Sequence, residues 1–269
     1  MDADIVPRVA DTVVLCYHAV SYDWPADLST TPARFESQLR LLLARGYRAA
    51  TFHQAVTAPP ARRTFVVTFD DAYRSVHRLA APILSGLGLP ATVFVPTDYP
   101  DSEEPMAWPG IERWLGGPHE HELVPMSWEE LASLAERGWE IASHTKSHPR
   151  LPELEDDDEL LAELRDSREA CEHRLDRPCR TLAYPYGAED ARVVRAARAA
   201  GYTAAAALPE RFHVEDRFRW PRVGVYHVDD ERRFRLKVSP AVRRLRGSPV
   251  WTLLERARSH ARPSAARGG

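Results

Sequence analysis

Short apolar runs rich in β-branched residues alternate with amphipathic stretches along most of this chain. The runs predict strands at residues 12–17, 65–69, 91–95, 139–143, 181–184, 202–208 and 222–227, and the amphipathic stretches predict helices at residues 32–45, 77–84, 127–137, 159–174 and 188–200. Such alternation is typical of parallel sheets whose strands are joined by right-handed crossovers. The pattern therefore predicts an α/β fold.

Side chains suited to chemistry follow two of the predicted strands. Asp70 and Asp71 come directly after an apolar run at 64–69, and His144 follows the run at 139–143. In α/β folds, active sites are built at the carboxyl ends of parallel strands. Since each candidate of this kind lies at such an end, the sequence favours a barrel or near-barrel with a site at one rim.

The chain of 269 residues is long enough for one large α/β domain or two small ones. We assign residues 1–10 to an N-terminal extension and residues 11–255 to a single catalytic barrel. Residues 256–269 are rich in Arg, Ala, Ser and Gly, which predicts a disordered basic tail. Residues 96–125 contain several Pro, Gly and Trp, and we expect them to form a long loop over the site.

Composition argues against several classes of protein. A net charge of −3 provides no general basic surface for nucleic acid. The three cysteines form no C-x-x-C pair, which argues against a disulfide framework or a thiolate zinc site and fits a reducing compartment. No stretch reaches the roughly 20 apolar residues of a membrane span, and residues 1–7 lack the pattern of a signal peptide. We therefore expect a cytoplasmic protein.

One carboxylate and two imidazoles form a ligand set that suits a divalent metal with positions left open for water and substrate. Asp71 offers the carboxylate, and His144 and His148 are four residues apart, a spacing that brings two rings together on one helical turn. Zinc is the expected metal, with cobalt and nickel as alternatives. Asp70 is then free to act as a base that takes a proton from water during attack on a carbonyl carbon.

A tight turn is predicted after the strand at 181–184. Pro185 and Gly187 flank Tyr186 there, so the backbone amide of Tyr186 can point into the site. A backbone N–H in that position stabilises the oxyanion of a tetrahedral intermediate. An ordinary Pro-Gly turn without a chemical role is the alternative.

Three stretches of the chain resemble the polysaccharide deacetylase family, the metal-dependent carbohydrate esterases. They are Thr-Phe-Asp-Asp at 68–71, Ser-His-Thr-Lys-Ser-His-Pro at 143–149 and Tyr-Pro-Tyr-Gly at 184–187, with Leu-Cys-Tyr-His at 15–18 and Met-Ser-Trp at 126–128 as matching context. The resemblance covers roughly residues 12–235. It implies an α/β fold, a distorted (β/α) barrel of about seven parallel strands in a single domain. It also implies hydrolysis of the N-acetyl group of an amino sugar, oligosaccharide or glycoconjugate.

The resemblance implies a role for each residue of the site as well. Asp70 resembles the catalytic base of the family, and Asp71, His144 and His148 resemble its metal ligands. Tyr186 corresponds to the residue whose backbone amide contacts the oxyanion.

The chain departs from the family at one position. The third motif usually carries an arginine two residues before its proline, where it pairs with the base, and here that position is Ala183. A carboxylate without a cationic partner has a higher pKa. We hypothesise that Arg222, at the start of the last predicted strand, supplies the missing charge to Asp70.

The proton donor is a second departure. The family uses a histidine near the end of the barrel, and His227 lies there in a poorly matching context, where a surface or packing role is expected. His18 follows the first predicted strand beside Tyr17. We therefore assign His18 to the site, with a packing role as its alternative, and His18 and His227 are the two candidate acids.

Several aromatic residues lie in predicted loops or at strand ends, where they either stack on sugar rings or pack the loops. They are Trp24, Tyr73, Trp108, Trp114 and Tyr186. The expected partner is an N-acetylated saccharide or glycoconjugate substrate. A hydrolase that uses the same metal site on a non-sugar amide or imide, and a non-catalytic glycan-binding relative, are the alternatives.

Overall fold

A computed structural model of the protein describes residues 11–57, 63–209 and 216–248. The predicted extension 1–10 and basic tail 256–269 lie outside these residues. The strands are β1 (Thr12–Tyr17), β2 (Ala19–Val20), β3 (Ser29–Thr30), β4 (Arg48–Ala50), β5 (Thr64–Phe69), β6 (Thr92–Val95), β7 (Glu140–Ser143), β8 (Thr181–Ala183), β9 (Ala204–Ala207), β10 (Trp220–Pro221) and β11 (Val223–Gly224). The α-helices are α1 (Pro32–Ala44), α2 (Phe52–Thr57), α3 (Ala81–Leu87), α4 (Trp128–Glu136), α5 (Asp157–Leu175), α6 (Ala191–Ala199), α7 (Glu231–Lys237) and α8 (Pro240–Arg246). Among the helices described, none combines the length and the apolar character needed to cross a membrane.

Most predicted elements are present, with ends within a few residues of those expected. The helix predicted at 77–84 begins as a π-helix, Val76–Ala80, and continues as α3. The strand predicted at 222–227 is wrong beyond Gly224. The reason is a turn in which the Asp229 carboxylate accepts a hydrogen bond from the Tyr226 amide at 2.9 Å, and this turn takes the chain away from the sheet.

The loop predicted at 96–125 is present and contains two short 3₁₀ turns, Glu112–Trp114 and Glu120–Leu123. It ends at the capping box that opens α4. There the Ser127 hydroxyl accepts from the Glu130 amide at 3.1 Å, and the Glu130 carboxylate accepts from the Ser127 amide at 2.9 Å. Both bonds satisfy amides that the first turn of a helix leaves unpaired, so the start of α4 is well defined.

Within the described residues, nine strands form one sheet in the order β10-β9-β8-β7-β6-β5-β1-β11, with β4 also paired to β5. Every pairing is parallel. The central strand β5 pairs with β1 along its whole length, and its other edge pairs first with β4 and then with β6. Because the strands are parallel, their carboxyl ends lie at one rim, as the sequence predicts for the site.

A single short segment closes the sheet. β10 pairs with β9 at one edge, β11 pairs with β1 at the other, and only Arg222 lies between them. The Arg222 amide continues the first pairing by donating to the Ala207 carbonyl at 3.1 Å, and the Val225 amide continues the second by donating to the Cys16 carbonyl at 2.9 Å. The predicted distorted (β/α) barrel is therefore confirmed. Among the described residues its strands outnumber the expected seven, because β4 and β10 are too short to produce a hydrophobic period.

Alternate residues of the strands fill the barrel with apolar side chains. The buried cluster combines Val14, Val66, Phe94, Ala142, Ala183, Ala204, Ala206 and Trp220 with Phe52, Ala55 and Val56 of α2, which closes the amino end. A larger cluster lies between the outer face of the sheet and the helices. The apolar side chains fill the half of the barrel near the amino ends of the strands. The polar side chains inside the barrel therefore lie near the carboxyl ends.

Candidate active site

The polypeptide turns sharply where β5 ends. The Asp70 amide still donates to the Tyr17 carbonyl at 2.9 Å, which extends the pairing with β1 by one residue. Asp71 and Ala72 then adopt positive φ angles of 69° and 54°. Such conformations cost about 1–3 kcal/mol each for residues other than glycine and are concentrated at functional sites. The turn separates the two carboxylates, because Asp70 keeps the inward direction of Thr68 while Asp71 turns towards the loop after β7.

The two histidines are brought together by a loop. His144 continues β7, since its amide donates to the Val95 carbonyl at 2.8 Å. Residues 144–150 are not helical, and Thr145 and His148 have positive φ angles of 67° and 66°. The prediction that one helical turn aligns the two rings is therefore wrong. The two rings are brought together instead by the reversal of the backbone at Thr145 and His148.

The loop is anchored by Glu163 of α5, a residue that the sequence reasoning missed. One oxygen of its carboxylate accepts from the amides of Lys146 and Ser147, both at 2.9 Å, and the other accepts from the Ser147 hydroxyl at 2.6 Å. The Thr145 hydroxyl also accepts from the His148 amide at 3.2 Å. A charged acceptor that holds two amides is a strong restraint, so the histidine loop has a defined shape.

Asp71, His144 and His148 form one buried cluster. Oδ1 of Asp71 lies 3.4 Å from Nε2 of His144 and 3.3 Å from Nε2 of His148. Nδ1 of His144 lies 2.8 Å from the Ala183 carbonyl, which can only accept, so Nδ1 carries the proton of the neutral ring and Nε2 presents its lone pair. Oδ1 of Asp71 is buried and has no hydrogen-bond partner among the described residues. A carboxylate oxygen and two imidazole nitrogens that converge in this way suit a cation, and the three residues fit a divalent metal.

The surroundings of the two rings shift their pKa values in opposite directions. Burial lowers the pKa of His148, which keeps the ring neutral and able to bind a metal. Its ring stacks on Trp108 at a centroid distance of 4.1 Å and lies 4.8 Å from the ring of Tyr186. Burial would lower the pKa of His144 as well, but the carboxylates of Asp70 and Asp71 raise it above its ordinary value. Positive charge is thus favoured at the centre of the cluster.

Asp70 is paired with Arg222, and the predicted contact is present. Nη1 of Arg222 donates to Oδ1 of Asp70 at 2.6 Å and Nη2 donates to Oδ2 at 2.8 Å, while Nη1 also donates to the Thr68 hydroxyl at 3.1 Å. Both side chains are almost completely buried. Burial alone would raise the pKa of Asp70, but the charge of Arg222 and the nearby His144 lower it to about 2. Asp70 is therefore ionised at neutral pH.

His18 lies beside Asp70, and His227 does not. The thiol of Cys16 donates to Oδ2 of Asp70 at 3.4 Å, and Cys16, His18 and Asp70 each offer an atom within 4.8 Å of the others. Nδ1 of His18 is buried without a hydrogen-bond partner in the described part of the chain. His227 instead packs outside the cavity, where its Nδ1 lies 3.2 Å from the Ser29 hydroxyl. Of the two candidate acids, only His18 can reach the site.

A cavity of about 480 Å³ opens above these residues. His18, Asp70, Asp71, His144 and His148 line its floor. Its aromatic walls are Trp24, Trp108, Trp114, Tyr186 and Tyr226. Of these, Tyr226 was missed, because it was assigned to the interior of the strand predicted at 222–227 and not to a loop or a strand end. Tyr73, a predicted candidate for sugar stacking, is buried against Trp24 and does not line the cavity, so it packs the loop.

The turn that presents Tyr186 depends on Gly187. Tyr186 has a φ of 58°, and the Gly187 amide donates back to the Tyr184 carbonyl at 2.9 Å. Gly187 itself has a φ of 67°, and a Cβ atom there would lie 2.7 Å from the Cβ of Leu208. Both the dihedral angle and the close approach therefore require glycine.

Replacing Gly187 with alanine is expected to lower the free energy of unfolding by about 1–3 kcal/mol, because the new methyl group collides with Leu208. Urea unfolding followed by circular dichroism measures this change. Gly86→Ala is the matched control, since Gly86 has an ordinary φ and an added Cβ meets nothing within 4 Å. Equal stability of the two variants would contradict the expectation.

The family model of polysaccharide deacetylases matches residues 57–205, more than half of the chain. YxkH of Bacillus subtilis (strain 168), whose assignment as a polysaccharide deacetylase is provisional, is 26% identical over 200 residues, which are 72% of this chain and 63% of the relative. The chain thus spans less than two thirds of that relative's length.

Two solved structures share the fold. A polysaccharide deacetylase from Bacillus cereus has a TM-score of 0.69 at 23% identity, with 85% of this chain and 69% of the other covered. The Streptococcus pyogenes deacetylase PplD, solved in complex with acetate, has a TM-score of 0.70 at 19% identity, with 86% and 100% covered. At these identities the two likenesses establish the fold.

Proposed function

The chain belongs to the polysaccharide deacetylase family, and we propose that it hydrolyses the N-acetyl group of an amino sugar, oligosaccharide or glycoconjugate. The products are acetate and a free amine. The observation that carries this proposal is the buried Asp71, His144 and His148 cluster beside an ionised Asp70, at the floor of a cavity with aromatic walls. Aromatic walls suit the apolar faces of sugar rings.

Asp71, His144 and His148 would hold the metal in this proposal, and we propose zinc, with cobalt and nickel as alternatives. A divalent cation held there would polarise the acetamide carbonyl and lower the pKa of a water molecule. The hydrogen bond from His144 to the Ala183 carbonyl supports the role of His144, because it fixes the ring in the tautomer that a ligand needs.

Asp70 is the proposed base. It accepts the proton that water loses as the oxygen of that water forms a bond to the acetyl carbon. Arg222 holds the carboxylate in one orientation with two hydrogen bonds and keeps it ionised. Oδ1 of Asp70 accepts one hydrogen bond, from Arg222, and so retains a lone pair that is free to receive the proton, whereas Oδ2 accepts from both Arg222 and Cys16.

The backbone amide of Tyr186 is the proposed donor to the oxyanion, and His18 is the proposed acid. His18 delivers a proton to the amine nitrogen as the carbon–nitrogen bond breaks, which completes the exchange of water for amine. Its position near Asp70 and its unpartnered Nδ1 support this role.

Replacing His18 with alanine is expected to lower kcat by about a hundredfold or more, because the departing amine loses its proton donor. His227→Ala is the matched control and should change kcat little, since His227 lies outside the cavity. Steady-state rates of acetate release measure both variants. Comparable losses in the two variants would exclude His18 as the acid.

The proposed activity is tested by acetate release from N-acetylglucosamine oligomers and from linear N-acetyl amides, with zinc-loaded protein. We expect release from the oligomers alone, and none from the Asp70→Asn variant, which controls for contaminating enzymes. Release from the linear amides alone would instead favour an amide hydrolase. A protein that binds the metal but hydrolyses neither substrate would contradict the proposal.

The compartment of the protein stays a prediction. Cys16, Cys171 and Cys179 are buried free thiols. Free thiols agree with a reducing environment, and we propose the cytoplasm on that basis.

A further inference from the structure

Two arginines that line the active-site cavity have no acidic partner. Arg113 and Arg150 are both exposed lining residues, and among the described residues no carboxylate lies within ion-pair distance of either. Several other arginines around the barrel have acidic partners: Arg74 with Glu130, Arg192 with Asp157, Arg198 with Asp216 and Arg219 with Glu189. The charges of Arg113 and Arg150 are therefore available to a ligand.

Both guanidinium groups lie on the aromatic walls of the cavity. Cζ of Arg150 is 4.1 Å from the centre of the Tyr186 ring, which is itself 4.8 Å from the ring of His148. Cζ of Arg113 is 5.2 Å from the centre of the Trp114 ring. Stacking orders a guanidinium and leaves its N–H edge free for a carboxylate or a phosphate. The ring of Tyr186 thus lies between the Arg150 guanidinium and His148, one of the proposed metal ligands.

The acids of the cavity do not neutralise these charges. Asp70 is paired with Arg222, and Asp71 faces the two histidines at the floor. In the described ranges, Asp27 is the one further acid that lines the cavity. The outer half of the cavity therefore carries an excess of positive charge, directly above a site proposed to act on an acetamide.

We infer that the substrate is an N-acetylated saccharide with an anionic group, a carboxylate or a phosphate, on the reacting sugar or its neighbour, and that Arg113 and Arg150 bind this group. The inference rests on the proposed function, which it narrows to acidic saccharides. A guanidinium binds either anion through paired hydrogen bonds, whereas a neutral chitin-like chain makes no use of the two charges.

The test compares kcat/KM for a neutral N-acetylglucosamine oligomer, N-acetylglucosamine 1-phosphate and N-acetylmuramic acid. We expect at least one anionic substrate to exceed the neutral one by about tenfold or more. The double variant Arg113→Ala/Arg150→Ala should lose that advantage through a higher KM for the anionic substrate, and kcat/KM for the neutral substrate should change much less. Arg165→Ala, at an exposed position on α5, is the matched control and should behave as wild type. The preferred anionic substrate shows whether the group that the two arginines bind is a phosphate or a carboxylate.

Calorimetric titration of the zinc-loaded protein with N-acetylglucosamine 1-phosphate and N-acetylmuramic acid provides a second readout that needs no turnover. We expect the double variant to bind the preferred anion about tenfold more weakly than wild type. Unchanged affinity of the double variant for both anions, or an equal loss of kcat/KM for the neutral oligomer, would overturn the inference. Failure to release acetate from any saccharide would instead contradict the proposed function, and the titration would still decide whether the arginines bind an anion.

Discussion

Replacing Asp71 with asparagine is expected to abolish both metal binding and hydrolysis. Asn keeps the size of the side chain but removes the charge that opposes a divalent cation, and only an amide oxygen remains to face the two histidine nitrogens. We expect zinc content to fall from one equivalent to near zero and kcat/KM to fall by about a thousandfold or more. Elemental analysis of the purified protein and acetate release measure the two quantities.

Asp27→Asn is the matched control for this experiment, because Asp27 lines the same cavity outside the metal cluster. This control should retain zinc and most of its activity. Stoichiometric zinc in the Asp71→Asn variant would show that Asp71 is not a ligand. Loss of activity with zinc retained would assign Asp71 another role.

Replacing Arg222 with methionine is expected to lower the free energy of unfolding by about 3–5 kcal/mol, because Asp70 then remains buried without its countercharge. Methionine preserves much of the arginine stem, which packs inside the barrel near the Phe94 ring. Urea unfolding measures the change. The same variant should also lose activity, because the orientation and low pKa of Asp70 depend on this arginine.

A double-mutant cycle separates charge from packing. In Asp70→Asn/Arg222→Met the uncompensated carboxylate is gone, so we expect this double variant to be more stable than Arg222→Met alone. The difference reports the penalty of the buried charge. If the double variant is no more stable than Arg222→Met, the loss of stability results from disruption of the closing segment between β10 and β11 and not from loss of the ion pair.

Much of the architecture is predictable from local patterns. Strands such as β1 and β5 show apolar β-branched runs, and α1 and α4 carry clear caps, so their existence and type follow from short stretches of sequence. The elements that were missed, such as β4, α2 and β10, are seven residues or shorter. Segments of that length contain too few residues for a period to appear, and they are stabilised by pairing and packing with distant parts of the chain.

The candidate site, like the fold, is predictable from the sequence only in part. Asp70, Asp71, His144 and His148 can be identified because carboxylates and imidazoles at the ends of apolar strands are a rare combination in sequence. The orientation of these side chains, in contrast, does not follow from the local sequence. The anchoring role of Glu163 depends on how α5 packs beside β7. The positive φ angles of Asp71 and His148 occur without a glycine that would signal them.

The order of strands and helices, the residues at one rim of a parallel sheet and the chemistry available there all follow from the amino-acid sequence, because each depends on short-range periodicity and residue type. The partner of Asp70 does not. Asp70 and Arg222 are 152 residues apart, and they meet because β10 and β11 pair with opposite edges of the sheet and so direct Arg222 into the barrel. The sequence could suggest that pairing as a hypothesis, but only closure of the barrel brings the two charges within 2.6 Å.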